Sequence, residues 1–297
     1  MSLPRYRGIR PALLAGCLLV AVLVSACSGK PGQAAFNFDW SVFFRDISPF
    51  SRGLLGAVYI TVVISVLSQA IGVTLGVFAA LGKMAKIVPL RVIANLYIWV
   101  FRGTPVVVQL MFGFYGLSAA HLWGWDAFTI LGFKIPGEIQ AGIIILGINE
   151  GAYMAEIIRA GIMAVDPGQT EAAKSLGMTY RKTMGRIVLP QAARVIIPPL
   201  GNEFNNMLKT TSLLFVLSVI ETYNHYNIAQ GQNFQPFEEF LGCAAWYLLM
   251  TTIWGLVQNR IERRFSRGTE QSSSGGAGPR NKGFAERFMA LRAPIEQ

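Results

Sequence analysis

"EAAKSLGMTYRKTMGRIVLP", residues 171–190, is a polar and basic stretch set inside a hydrophobic chain. Glu171 stands against Lys174, Arg181, Lys182 and Arg186, and two glycines, Gly177 and Gly185, interrupt the run. Pro167 and Gly168 stop whatever helix comes before it. Thr170 reads as the cap of a new short helix, which sets Glu171 at its positive end. Gly177 breaks that helix, and Pro190 ends the stretch before the next apolar run. Its setting comes from the composition. The protein has 297 residues, 53% hydrophobic and 14% charged, whereas soluble domains carry about 25% charged residues. With a mean hydropathy of +0.44, the chain has exchanged charged surface for lipid-facing surface. It reads as a polytopic, all-α integral membrane protein.

Five core spans are expected, over residues 54–81, 92–117, 139–163, 196–220 and 240–257. Gly72 and Gly76 form a G-x-x-x-G in the first, which lets helices approach closely. Pro105 is expected to kink the second, and Gly151 and Gly161 to permit close packing or bending in the third. Lys83, Lys86 and Arg91 fall in one connection; Arg159, Lys174, Arg181, Lys182, Arg186 and Arg194 fall in the central one; and Arg260, Arg263, Arg264 and Arg267 follow the last span. The opposite connections hold only Lys134 and no other basic residue. The positive-inside rule therefore puts the central loop and the C-terminus in the cytoplasm and the core N-terminus outside. Lys30, Arg45 and Arg52 run against that bias.

Flanking segments divide as residues 1–27, 28–53 and 266–297. The first has a basic start, a short apolar run and "VSAC" at residues 24–27, which resembles a lipoprotein-type signal with Cys27 as the lipidation candidate. The rival reading is a sixth membrane helix. Residues 28–53 are aromatic and mixed in charge, suiting an extracytoplasmic interfacial segment. Residues 266–297 have the composition of a flexible basic tail.

Several function classes drop out. Three cysteines with no C-x-x-C spacing exclude a disulfide scaffold and a cysteine zinc site, and His121 and His225 stand alone, so no H-E-x-x-H metal site exists. There is no G-x-x-x-x-G-K-[ST] phosphate cradle, and the +10 net charge sits beside apolar runs rather than in a nucleic-acid stripe.

Glu171, Ala172 and Ala173, then Gly177, then Ile187, Leu189 and Pro190 resemble the E-A-A-x3-G-x9-I-x-L-P signature of bacterial ABC importer permeases. "RGTPVVVQL", "NEGAYMAEIIRAGI", "GNEFNNMLKTTSL" and "QNFQPFEEFL" are similar to the polar amino-acid branch of that family, and the resemblance covers residues 54–265. It implies the type I permease fold, with a coupling loop at residues 165–194 docked on a separate ATPase. It also implies a second permease subunit (the same chain or a paralogue), an extracytoplasmic amino-acid binding protein, and a place in the bacterial inner membrane. No cofactor is expected on this chain, since ATP and magnesium belong to the partner. The chain is then a transport subunit and not an enzyme.

Ionisable groups inside spans are functional candidates by default. Arg102, Gln109, Glu150, Asn202, Glu203, Lys209 and Thr210 form the candidate substrate path. A free amino acid is a zwitterion, so Arg102 and Lys209 would meet its carboxylate, and Glu150 and Glu203 its ammonium. Mutual pairing that only holds the bundle together is the other reading. Glu156 and Arg159 are spaced as a helix-surface pair. A secondary transporter with buried carboxylates as coupling sites is the alternative function, but its usual paired repeats are absent from this sequence.

Overall fold

The structure is a computed structural model that describes residues 38–266, apart from 50, 52 and 131. Cys27, the signal-like segment, residues 28–37 and the 267–297 tail lie outside the described residues. The architecture is helical, as expected, with one small addition: a hairpin of β1 (Phe128–Ile130) and β2 (Phe133–Ile135) in the loop after the second apolar stretch. Gly132 turns it at φ +83°.

Helix α1 (Trp40–Ile47) opens the described chain. The Asp39 carboxylate caps it, accepting from the backbone N–H of Ser41 (2.9 Å) and Val42 (3.2 Å). Its aromatic side chains cluster with one another, and Trp40 and Phe44 face outward, as an interfacial helix requires. Among the described residues three helices are long and apolar enough to cross a membrane: α2 (Leu54–Met84), α5 (Gly137–Met163) and the last, whose apolar part is Pro236–Phe265. The second expected span is instead two helices, α3 (Val88–Gly103) and α4 (Val106–Ala119), bent by 107° at Thr104 and Pro105. Counted as one broken span, the pair makes four. The kink expected from Pro105 is therefore a full break.

The fourth expected stretch also differs. Helix α6 (Pro167–Ser175) leads to α7 (Tyr180–Thr183), which runs through a π turn (Met184–Val188) into α8 (Leu189–Thr210). The chain then tightens to a 3-10 turn (Thr211–Leu217). Helix α8 thus starts earlier and stops earlier than the 196–220 expectation. Pro190 opens it rather than ending the preceding stretch, because the first helical turn needs no proline N–H. Helix α8 is not apolar enough to count as a span, because Asn202, Glu203, Asn205, Asn206 and Lys209 make its second half polar. Helices α9 (Thr222–Asn233) and α10 (Pro236–Ser266) complete the chain.

The centre of the fold is the pairing of α2 with α5, the most extensive contact between elements. Small residues explain it. A Cβ at Gly72 would stand 2.6 Å from Glu150 Cγ, and one at Gly147 would stand 2.7 Å from Ile71 Cγ2. Gly76 meets Met154, Gly151 meets Leu75, and Gly161 meets Ile196 of α8. Close backbones let dispersion act over the whole seam, which is how helices associate where lipid removes the hydrophobic drive. Ser68 adds a hydrogen bond to the Ile143 carbonyl (3.1 Å). At one end of the seam Glu156 pairs with Arg159 (3.0 Å), as its spacing predicts, and with Lys83 at the end of α2.

At the other end Glu221 caps α9 and is fully buried. It accepts from Asn224 N–H (2.9 Å), Tyr247 hydroxyl (2.7 Å) and Thr61 hydroxyl (3.3 Å), joining α2, α9 and α10. Burial pushes its carboxyl above the ordinary range. Helix α1 is strapped to the same end by Tyr226 hydroxyl to the Asp46 carbonyl (3.1 Å) and Trp246 Nε1 to the Ile47 carbonyl (3.0 Å).

Candidate functional site

Between α4, α5 and α8 lies a cavity of about 280 Å³, lined by Val106, Leu146, Asn149, Glu150, Tyr153, Glu203, Asn206, Met207 and Thr210. Its polar wall comes from two helix faces. Asn149, Glu150 and Tyr153 share one side of α5, and Glu203, Asn206 and Thr210 rise along α8 at helical spacing of three to four residues. Glu150 is buried at 5% exposure, because Gly72 leaves room for its stem against α2. One of its carboxylate oxygens, Oε1, has no hydrogen-bond partner. That atom is closed off from the cavity's open space and stands beside the Gln69 side chain of α2, whose own Oε1 is also without a partner.

The structure brings together three of the seven path residues: Glu150, Glu203 and Thr210. Asn202 is exposed and accepts from Gln258 Nε2 (3.1 Å) of α10. Lys209 is exposed and does not line the cavity. Arg102 is exposed too, with its guanidinium 5.2 Å from the centre of the Tyr153 ring. It sits over an aromatic that lines the cavity rather than in the cavity, a cation–π arrangement. Among the described residues neither basic group is ion-paired to Glu150 or Glu203. The cavity therefore holds two acids and no base. Asn149, Tyr153 and Asn206 are polar lining residues outside the expected path; for Tyr153, its place three residues beyond Glu150 is the signal.

Gln109 lies just outside, bonded to Asn149 (3.0 Å) and to the broken backbone. It lines a second, apolar cavity of about 620 Å³ in the bend, with Phe101, Phe112, Trp123 and Trp125. A third cavity, of about 830 Å³, opens between α1 and α9 beside Arg45, Asp46 and His225. There the Arg45 hydrogen bond (2.6 Å) holds the Asp46 carboxyl below its usual range, and burial lowers His225. Among the described residues no cluster of three metal-ligating side chains occurs.

The loop at residues 165–194 is the other candidate element. Asp166, not Thr170, caps α6: its Oδ1 accepts from Gly168 N–H (2.8 Å), and Pro167 takes the first turn. Glu171 consequently stands in the second turn. At the far end Gly177 adopts φ +73°. Its N–H donates to the Lys174 carbonyl (2.9 Å) and Met178 N–H to the Ala173 carbonyl (3.0 Å), the paired bonds of a Schellman stop. Ala173 is buried, while Glu171, Ala172 and Gly177 are exposed. Leu176, just past α6, is 82% and Tyr180, the first residue of α7, 71% exposed, so the turn between the two helices presents apolar groups at the surface. Of the remaining motif residues, Ile187 is half-buried in the π turn, and Leu189 and Pro190 are exposed at the start of α8.

The chain matches a family model over residues 72–267, described as binding-protein-dependent transport system inner membrane component. It is 40% identical over 261 residues to the arginine transport system permease protein ArgU of Corynebacterium glutamicum, covering 87% of this chain and 81% of that one. It is 37% identical over 215 residues to the L-cystine transport system permease protein TcyB of Bacillus subtilis, covering 72% and 87%. A crystal structure of an amino acid ABC transporter with histidines aligns at TM-score 0.67 and 38% identity, covering 77% of this chain and 100% of that chain. An inward-facing methionine ABC transporter, 14% identical at TM-score 0.59, shares the fold.

Proposed function

Because this chain belongs to the binding-protein-dependent transport system inner membrane component family, and is a multi-pass permease of an amino-acid ABC importer, we propose that its acid-lined cavity takes the cationic end of a basic amino acid. One observation carries this reading: Glu150 and Glu203 line the cavity, while Arg102 and Lys209 stay out of it. An ammonium or guanidinium donates to carboxylates, and two of them in a medium of low dielectric favour it strongly. An arginine permease at 40% identity supports the same chemistry.

The cytoplasmic side supplies the coupling. Helix α6, capped by Asp166 and closed at Gly177, offers Leu176 and the Glu171–Ala172 face to a cleft in a separate ATPase, which carries the ATP and magnesium. Closure of two such ATPases moves the helix pairs α6–α7 and, through the continuous π turn, α8 and its cavity wall. A second permease subunit and an extracytoplasmic binding protein complete the importer. The core N-terminus lies outside and the C-terminus in the cytoplasm, following the basic residues near Arg186 and Arg263.

The test is uptake by the importer reconstituted with its ATPase and binding protein, with each amino acid as competitor. Arginine and lysine are expected to compete best. Glu150→Gln and Glu203→Gln should each cut arginine uptake by roughly tenfold, the worth of one charge-assisted hydrogen bond, while the complex assembles and still hydrolyses ATP. Undiminished arginine uptake by both variants would sink the reading. Uptake that survives ATP depletion and collapses with a protonophore would favour an ion-coupled transporter instead.

A further inference from the structure

In an unbroken helix the Phe101 carbonyl would accept from the N–H of residue 105. Residue 105 is proline, which has none. The chain bends by 107° at this point, and the Phe101 and Thr104 carbonyls are released within an apolar stretch. Two side-chain amides answer them. The two N–H groups of Gln109 Nε2 are shared among three acceptors: the Phe101 carbonyl (2.9 Å), the Thr104 carbonyl (3.1 Å) and the Thr104 hydroxyl (2.8 Å). Asn149 Nδ2 donates to the same Phe101 carbonyl (3.0 Å) and to Gln109 Oε1 (3.0 Å). Asn149 is 6% exposed and belongs to α5, so the donor set is shared between the bent pair and the central helix.

The location gives these bonds a second consequence. Asn149 and Glu150 are neighbours on α5 and both line the acid cavity. Val106, the first residue after the break, lines it as well, from α4. The amide pair therefore ties the break to the cavity: the angle of the bend and the gap between Val106 and Glu150 are set by the same hydrogen bonds. Released carbonyls in hydrocarbon have no water to fall back on, so the bend holds only while the amides hold it.

We propose that Gln109 and Asn149 are positioning residues whose amides replace the N–H missing at Pro105, lock the α3–α4 bend onto α5, and thereby set substrate affinity in the acid-lined cavity. The proposal rests on reading that cavity as the substrate site. Gln109 lies outside the cavity and acts through Val106 and Glu150, whereas Asn149 lines it and commits its Nδ2 group to the Phe101 carbonyl and Gln109 Oε1.

The experiment compares Gln109→Leu, and Gln109→Leu combined with Pro105→Ala, in the full importer reconstituted in lipid, with L-arginine as the probe. Membrane abundance, uptake KM and uptake Vmax per assembled complex are measured. Gln109→Leu is expected to raise KM by about tenfold, the cost of unmaking buried hydrogen bonds, with Vmax per complex changed less than about twofold. The double variant is expected to regain membrane abundance, because replacing the proline restores an in-helix N–H for the Phe101 carbonyl. It should nonetheless keep the raised KM, because the bend has straightened. Should Gln109→Leu fail to accumulate, the double variant decides alone. Recovery of both abundance and KM by the double variant would make the amides mere plugs and overturn the proposal. An unchanged KM in abundant Gln109→Leu would do the same, as would a double variant that fails to accumulate, since the restored N–H then does not replace the lost donor. Absence of arginine uptake by the unaltered protein, or its indifference to Glu150→Gln, would fail the cavity reading instead; the abundance of the double variant still tests the clasp in that case.

Discussion

The helix breaks at Gly177 and at Pro105 are repaired in opposite ways. At Gly177 the chain ends α6 with a residue in the left-handed region, and the freed carbonyls of Ala173 and Lys174 are taken up by the next two backbone N–H groups. The repair is local, and uses nothing from the rest of the fold. At Pro105 the freed carbonyls have no such neighbours, and the donors come from Gln109 and from Asn149, which is 48 residues away from Phe101 in sequence. The difference follows from the surroundings. A break facing water can close on itself and leave its outer face free, so Leu176 remains available to a partner. A break in an apolar medium must take its donors from elsewhere, and that fixes it to a neighbouring helix. One break is built for docking and the other for transmitting shape to a cavity.

Gly177→Val gives the largest effect expected from breaking this contrast. A β-branched residue at φ +73° costs about 1–2 kcal/mol and undoes both closing bonds. Because the site is exposed and self-contained, the permease should still insert at normal abundance. Co-purification with the ATPase should be lost, and uptake should fall to roughly a tenth or less. A variant that fails to insert would mean the loop is part of the core after all.

Leu176→Glu ranks next. It leaves φ, caps and hydrogen bonds alone and changes only the 82% exposed apolar tip. Burial of such a side chain on a partner is worth about 1.5–3 kcal/mol. Affinity for the ATPase should drop by roughly tenfold, measured by titrating detergent-solubilised permease with ATPase, with the permease's own thermal stability unchanged. A drop in stability with unchanged affinity would reverse the assignment of inner and outer faces of α6.

Asp166→Ala is milder. It removes a single N-cap bond, to Gly168 N–H, which typically costs about 1 kcal/mol. Helix α6 would fray from its start while Gly177 still closes its end, and uptake should fall about twofold. Thr170→Ala should do nothing comparable, which separates the observed cap from the one that the sequence suggests.

That last pair shows where sequence reading works and where it does not. The Gly177 stop is legible because few residues other than glycine hold that backbone, and the Gly72–Gly76 seam because close approach needs missing side chains. The Pro105 break is legible for the same kind of reason. The cap is not: Thr170 and Asp166 are both capping residues, Asp the better of the two, and the position of Pro167 in the first turn decides between them. Pro190 fails similarly, since proline ends one helix and begins the next with the same ring. Arg102 and Lys209 are the instructive case. Their charge marks them in the sequence, yet which way they face depends on a 107° bend and on the early end of α8 at Thr210. Helical periodicity carries no information across either feature. Glu150 and Glu203 are recoverable because α5 and α8 run unbroken through them.

The smallest effect belongs to Thr104→Val, and it sharpens the comparison most narrowly. Gln109 Nε2 has three acceptors at the membrane break: the Phe101 carbonyl, the Thr104 carbonyl and the Thr104 hydroxyl. Valine keeps the volume and both carbonyls and deletes only the hydroxyl, which also donates to the Val100 carbonyl (2.9 Å). The Phe101 carbonyl is not left without a donor, because the amides of Gln109 and Asn149 still reach it. The loss should be that of a replaceable side-chain bond, about 0.5–1 kcal/mol in thermal or denaturant unfolding, with arginine KM raised less than about twofold. Thr104→Ser should restore it. If Thr104→Val instead matches the tenfold effect expected of Gln109→Leu, then the hydroxyl, not the released carbonyls, anchors the amide. The membrane break would then close as locally as the one at Gly177, and the contrast between the two regions would be lost.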